Sequence, residues 1–181
     1  ERLEYIYEQD PGDPRIEHAV AVDIDEYGHT SVECVVAYPS RPTNRIGIED
    51  QDVSRVAVTE RRVAHIDEPD SYRLGIEIES RRYEGKGWRA SSVGAVDPTF
   101  APSELASHLD HLTSAPFGQL SGQVKLAHEP LDGLHTLRLW KWEQVRYWDR
   151  AAGDVSALGS ASPAALEHHR RAASMSLEAT I

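Results

Sequence analysis

Apolar and polar residues alternate with a period of two along the first half of the chain, and this pattern constrains the fold more than any other feature. Two alternating runs flank the acidic, glycine-containing stretch Asp25–His29. Residues two apart lie on the same face of a strand, so the runs predict an antiparallel hairpin over residues 14–39. The residues expected on its shared faces are Ile16, His18, Val20, Val22, Ile24, Val32, Cys34, Val36 and Tyr38.

Further strands are predicted along the rest of the chain. Apolar or alternating runs indicate strands over residues 56–66, 74–79, 119–128 and 134–148, of which the last is rich in tryptophan, and the tail 174–181 also suits a strand. Residues 40–52 are polar and are expected to form a loop, and residues 85–98 hold four glycine or proline breaks and are expected to be irregular.

Two short helices are predicted among the strands. Leucines at spacings of four and three predict one near residues 102–114, with Pro102 suited to its first turn. The second is predicted near residues 163–173, with Ser162 as its N-cap and Pro163 at its first position. The leucines of the first helix are Leu105, Leu109 and Leu112.

The fold class predicted from these elements is mainly β, with antiparallel strands and hairpins and two short α-helices. Strands do not alternate one for one with helices, which argues against a doubly wound parallel sheet. The 181 residues suit one domain. We interpret residues 1–181 as a single β-rich segment cut from a larger β structure. The chain starts at Glu1 without a basic and then apolar leader, so no signal peptide is expected in it.

Charge and cysteine content exclude several classes of function. The chain has 30 acidic and 19 basic residues and a net charge of −11, which disfavours binding to nucleic acids and to anionic membranes. Cys34 is the single cysteine, so a disulfide within the chain and a cysteine-rich zinc cluster are both excluded. Its apolar neighbours predict a small buried hydrophobic residue rather than a nucleophile.

The search for catalytic motifs gives no strong candidate, and no catalytic residue, cofactor site or metal site is assigned. His108 and His111 lie three apart on the first predicted helix and could bind a metal together with carboxylates, which keeps a metal-dependent hydrolase open as an alternative. Adjacent His168 and His169 point in different directions on a helix and make a poor ligand pair. Glu77 and Glu79 share a strand face that could present two carboxylates to a sugar, but this face is expected to face solvent.

Tryptophans in the predicted strand 134–148 give the second alternative. Trp140 and Trp142 are expected on one strand face with Gln144 and Arg146, opposite Leu137, Leu139, Lys141 and Glu143. A ridge of two indoles can stack on sugar rings, although such residues more often fill a core. A carbohydrate-binding β domain that uses Trp140 and Trp142 therefore stays open.

Several different short strings of residues occur in one order along nearly the whole chain. Asp13–Ile16 precedes the turn Asp25–His29, and Tyr38–Arg41 ends the second strand. Later strings are Thr59-Glu60, Tyr72–Ile76, Arg82–Glu84, Trp142–Gln144, Tyr147–Asp149, Leu158–Gly159 and Leu166–His169. In this order they resemble the B components of bacterial insecticidal toxin complexes, the TcdB/SpvB-like proteins. The chain departs from the family pattern at His29 (Asn in the family), at Ser40 (Arg) and at Ile76-Glu77 (Leu-Pro).

The resemblance implies a structural role and no enzymatic activity. In that family the B component, together with the C component, builds a hollow Rhs-like shell of β-sheet that encloses a toxic cargo, and a propeller of the B component docks on the pore-forming A component. The resemblance therefore implies a segment of this shell in a secreted toxin complex. Its expected partners are the C component and, through the parent protein, the A component.

Overall fold

The computed structural model describes residues 1–7, 14–39, 53–91, 99–131, 135–149, 152–163 and 166–174, without the side chains of Leu166 and Ser174. These residues form nine strands and one helix. The strands are β1 Arg2–Ile6, β2 Arg15–Ile24, β3 Thr30–Ala37, β4 Arg55–Glu68, β5 Ser71–Lys86, β6 Val124–Lys125, β7 Leu137–Asp149, β8 Asp154–Val155 and β9 Leu166–Ser174, and the helix is α1 Pro102–Thr113.

All nine strands belong to one sheet. Its order is β1-β2-β3-β4-β5-β7-β6, and β8 and β9 also pair with β7. Every pairing is antiparallel except that of β6 with β7. The predicted fold class, mainly antiparallel β, is confirmed.

The hairpin predicted over residues 14–39 is confirmed as β2 and β3. Val20 lies opposite Cys34 and His18 lies opposite Val36. The turn closes where the amide of Asp25 donates to the carbonyl of His29 over 2.9 Å. Gly28 has a φ of +86°, a left-handed conformation that favours glycine.

The helix predicted near residues 102–114 is also confirmed and covers the larger hydrophobic core. Leu105, Leu109 and Leu112 are at most 1% exposed, and they pack with buried residues of β2, β3, β4 and β7. Burying each leucine contributes about 1.5–3 kcal/mol. A second, smaller cluster consists of Ile76, Ile78, Val145 and Tyr147. Among the described residues, no helix has the length and apolar character needed to span a membrane.

The second predicted helix is wrong: residues 166–174 form strand β9. Ser162 does not cap a helix, because its hydroxyl donates to the carbonyl of Trp148 over 2.6 Å. β9 pairs with residues 141–148 of β7, along an edge that would otherwise expose backbone polar groups. Leu166 and alanines would have given a helix here little apolar surface to bury, so sheet pairing overrides the local helical preference.

Other predicted boundaries changed as well. The strand predicted over residues 119–128 is reduced to the two residues of β6. β5 continues to Lys86, past the first glycine of the stretch predicted to be irregular. The loop predicted at residues 40–52 lies outside the described residues, as do the tail after Ser174 and the first residue of the predicted strand 134–148.

A β-bulge at Trp140 corrects the predicted faces of β7. Tyr83 pairs with Leu139 and Arg82 pairs with Lys141, so Trp140 is the extra residue. A bulge shifts the alternation of side chains by one position. Trp142 consequently packs against the core that contains Leu139. The prediction that Trp142 and Leu139 lie on opposite faces of the strand was wrong.

Candidate functional site

A cleft of about 450 Å³ with several charged residues in its lining runs between the β2–β3 turn and the end of α1. Its charged lining is supplied by β2, its turn and β4. The described residues that line it include Asp23, Asp25, Glu60, Arg61, Arg62, His65 and Phe117. Two clusters of side chains meet this cleft and are described in turn.

The first cluster is a buried network of two carboxylates and two guanidinium groups, Glu60, Glu79, Arg62 and Arg81. Arg81 is 1% exposed and donates to Glu79 over 3.0 Å and to Glu60 over 3.4 Å. Arg62 donates to Glu60 over 3.0 Å. The formal charges of the four side chains cancel, which is the condition for burying ions at a tolerable cost.

Neutral donors complete this charge network. Tyr83 donates to Glu60 over 2.6 Å, and Trp142 and Gln144 donate to Glu79 over 2.7 and 3.0 Å. Burial and the neighbouring Glu60 carboxylate raise the pKa of Tyr83. Burial alone would lower the pKa of Arg81, but the carboxylates of Glu60 and Glu79 outweigh burial and raise it. Tyr83 and Arg81 therefore hold their protons firmly, which suits the network to structure rather than proton transfer.

The charge network also fastens the helix to the sheet. Arg62 donates from Nη2 to the carbonyl oxygen of Ala115, just after the end of α1. The carbonyl groups at a helix C-terminus lack partners within the helix and attract cations. One arginine thus joins β4, the carboxylates and the helix end.

The two predicted sugar-binding tryptophans are separated by the bulge. Trp140 is 48% exposed. Trp142 is partly buried, and its indole N–H donates to Glu79. The guanidinium carbon of Arg81 lies 4.9 Å from the centroid of the Trp142 ring. The two indoles therefore lie in different environments, one open to solvent and one part of the charge network.

The predicted solvent-facing pair Glu77 and Glu79 is also divided. Glu79 is 1% exposed, whereas Glu77 is partly exposed and pairs with Arg170 of β9 over 3.1 Å. The prediction of a solvated face was wrong for Glu79. The sequence does hold a signal for this burial. A charged residue at a position that continues an inward-facing series is expected to be buried, as Glu60 is after Val56 and Val58.

The second cluster joins the β2–β3 turn to the end of the β4–β5 hairpin. Asp25 accepts hydrogen bonds from the amides of Tyr27 and His29 over 3.0 and 2.8 Å. His65 contacts Asp25 over 2.8 Å, and the Tyr27 ring lies 4.3 Å from the His65 ring. These contacts hold the pKa of the Asp25 carboxyl low despite the opposing effect of desolvation.

Asp25, His29 and His65 are also the described side chains that come close enough for a shared metal ion, with their ligand atoms within 4.8 Å of one another. The ligand atoms of Asp25 and His65 do not fit a metal site, because they are already used in hydrogen bonds. The amide of Gly75 donates to Nδ1 of His65 over 3.1 Å, so the ring proton resides on Nε2 and is donated to Asp25. Both oxygens of Asp25 are therefore already engaged, and the cluster is a hydrogen-bonded junction between two hairpins.

Gly75 makes this junction possible. Its φ is +69°, and a Cβ atom on it would lie 2.2 Å from Nε2 of His29. The positive φ favours glycine here, and any larger residue would also displace the His29 ring from its present position.

The histidines proposed as ligands on the first helix have other surroundings. The rings of His108 and His135 stack with centroids 3.6 Å apart. Among the described residues, neither His108 nor His111 belongs to a group of three metal-ligand side chains within 4.8 Å. His168 and His169 lie on β9, where the His168 ring stacks on Trp148.

Cys34 is fully buried, and burial raises the pKa of its thiol to about 12. A thiol with such a pKa stays protonated at neutral pH and is a poor nucleophile. The prediction of a small buried hydrophobic residue is confirmed.

The sequence matches one protein family over part of its length. Residues 1–76 match the family described as the insecticide toxin TcdB middle/C-terminal region. A comparison with curated proteins finds no match.

Solved structures resemble the fold over most of the chain. The TcdB2-TccC3 structure without its hypervariable C-terminal region shares 13% identity and a TM-score of 0.57 over 92% of this chain. The Photorhabdus luminescens Tc holotoxin pore shares 13% identity and a TM-score of 0.53 over 87% of this chain. The chain spans about 7% of the length of each of these chains. At this identity the structural matches establish the fold, and the family match agrees with the motifs at its N-terminal end. The resemblance inferred from the sequence is thereby confirmed: residues 1–76 match the TcdB family, and the fold is similar to those of TcdB2-TccC3 and the Tc holotoxin pore.

Proposed function

We propose that this chain is a structural segment of a Tc B-like protein and contributes to a β-sheet shell that encloses and delivers a toxin cargo. The observation that carries the proposal is the likeness of its fold to TcdB2-TccC3 over 92% of its length. The proposal gives the chain no catalytic step and no cofactor.

The dimensions of the sheet support this role. β4, β5 and β7 contain 14, 16 and 13 residues, against a common strand length of about 5–6 residues. At about 3.3 Å per residue they extend roughly 43–53 Å. Long, adjacent antiparallel strands suit a wall. The buried charge network links β4 and β5 to β7 and α1.

The proposed partners are those of a toxin complex. They are the C component, which would build the remainder of the shell, and the A component, reached through the parent protein. The proposed location is extracellular, as part of the assembled complex. The net charge of −11 disfavours nucleic acid and anionic lipid as direct partners.

The size of the native polypeptide that contains these residues is the first test. An antibody raised against the chain is used to blot source cells and culture medium. We expect a band many times larger than 20.2 kDa, and co-precipitation of a second large chain. A native band at the size of the chain itself, without a large partner, would refute the shell proposal.

A second experiment tests enclosure directly. The parent protein is co-purified with its C component and treated with protease, and digestion of the cargo is compared before and after unfolding in denaturant. We expect the cargo to be protected only while the shell is folded. Equal digestion in both states would contradict the proposal even if the two chains bind.

Carbohydrate binding is the second candidate, and the exposure of Trp140 is the observation that favours it. Glycan titration should then quench tryptophan fluorescence in the unmodified chain and not in Trp140→Ala. Trp142→Phe is the matched control, because the Trp142 N–H is already occupied by Glu79. Absence of quenching at millimolar glycan would exclude this candidate.

A further inference from the structure

Three histidines lie at the interface between α1 and the rest of the molecule. His108 and His111 lie on α1, and His135 lies directly before β7. In each of the three rings, Nε2 is buried and has no hydrogen-bond partner. A buried donor or acceptor without a partner costs stability, and a buried charge without one costs more.

The surroundings of His108 and His135 are aromatic. Their rings stack with centroids 3.6 Å apart and 24° between planes. Trp88 meets both rings edge to face, at 6.0 Å from His108 and 5.3 Å from His135, and Phe100 meets both at 6.4 and 6.5 Å. Two neutral imidazoles suit this stack, but two imidazolium ions would repel one another at close range.

The charged groups around these rings offset protonation only in part. Glu104 lies 4.0 Å from Nε2 of His108, too far for a hydrogen bond, and it already accepts hydrogen bonds from Ser91. Around His111 the titratable groups are Asp110 on α1 and Glu60 on β4. Glu60 is committed to Arg62, Arg81 and Tyr83.

We propose that the docking of α1 on the sheet is sensitive to acid: protonation of His108, held in the stack with His135, loosens the helix while the sheet stays folded. The inference rests on the stacked, partnerless rings and is independent of the proposed shell function. The leucines of α1 do not titrate, so loosening is expected to be partial and reversible.

The direction of the pH effect follows from linkage. Burial, together with the neighbouring His135, lowers the pKa of His108, and burial lowers the pKa of His111. A histidine with a lowered folded-state pKa contributes its full stability above its unfolded pKa of about 6.5, and this contribution is lost as the pH falls through the folded-state pKa. Docking should therefore be strongest above pH 6.5 and weaken below it.

Hydrogen–deuterium exchange of the 181-residue chain tests the proposal. Exchange of peptides from α1 and from β4–β5 is measured between pH 7.5 and 5.0 and corrected for intrinsic exchange rates. We expect α1 to lose protection as the pH falls through the histidine range while β4 and β5 keep theirs. Unchanged protection of α1, or equal loss in α1 and the strands, would overturn the proposal.

Variants identify the responsible groups. His108→Phe keeps an aromatic ring in the stack and removes the titration, so it should abolish most of the acid effect. His135→Asn is a second variant, because asparagine tolerates the φ of +59° found at this position. The exposed His128 is the matched control, and His128→Gln should retain the full effect. An undiminished acid effect in both His108→Phe and His135→Asn would also refute the proposal.

Discussion

At the scale of single residues, Glu79 is a carboxylate that is only 1% exposed. Its carboxylate accepts hydrogen bonds from Arg81, Trp142 and Gln144. Removing one partner of a buried ion pair leaves the other charge uncompensated, which costs more than the pair itself contributes. The neighbouring Glu77 forms an ion pair that water can reach.

This contrast gives a prediction with its control two residues away. Glu79→Ala should lower the free energy of unfolding by about 3–5 kcal/mol. Glu77→Ala should lower it by no more than about 1 kcal/mol, as expected for an exposed pair. Denaturant unfolding followed by fluorescence measures both values. Equal costs for the two variants would show that the network around Glu79 does not stabilise the fold.

Sequence alone could predict the residues whose pattern is local. Val20, Cys34 and Leu109 follow simple periodicities, and all three are buried as expected. The residues that form the charge network could not be predicted in this way, because Glu60, Arg81 and Trp142 come from three strands. Their proximity depends on strand register, and a single bulge at Trp140 alters it.

At the scale of elements, β9 shows why a local helical pattern can fail. Residues 163–173 carry helix-start signals and alanines, yet β9 pairs with β7 along residues 141–148. α1 has three buried leucines to hold it on the sheet. Propensity is worth a few tenths of a kcal/mol per residue, so pairing with a neighbouring strand decides the outcome.

An alanine-to-threonine change made on β9 and on α1 tests the assignment of β9 as a strand. The change in stability should have opposite signs, or be near zero on β9. Ala173 is exposed on β9, and threonine is favoured over alanine in strands by up to about 1 kcal/mol. Ala173→Thr should therefore leave thermal stability unchanged or raise it. Ala106→Thr on α1 should lower stability by about 0.5 kcal/mol, because alanine is the best helix former. A loss of stability in Ala173→Thr that matches the loss in Ala106→Thr would favour a helix at residues 163–173.

At the scale of the whole molecule, β1 and β9, two strands at edges of the sheet, differ in character. β1 pairs with β2 on one edge, and no described strand lies on its other edge. It carries Leu3, Tyr5 and Ile6, each about 40% exposed. β9 instead carries the polar run Glu167–Arg171, with formal charges at Glu167, Arg170 and Arg171. Charges on an edge strand oppose pairing with further strands, whereas exposed apolar side chains promote it.

This asymmetry leads to a prediction about association of the chain in isolation. An apolar edge strand with open backbone groups is a template for another strand, so the chain should self-associate as its concentration rises. Tyr5→Lys places a charge in the middle of β1 and should shift the equilibrium toward monomer. His169→Lys on β9 is the control and should leave association unchanged. Sedimentation velocity over a range of concentrations measures all three proteins. If the unmodified chain stays monomeric at every concentration, β1 does not promote association, and the proposal of a wall that pairs at this edge loses its physical support. If Tyr5→Lys restores the monomer and His169→Lys does not, the edge strand that drives association is β1.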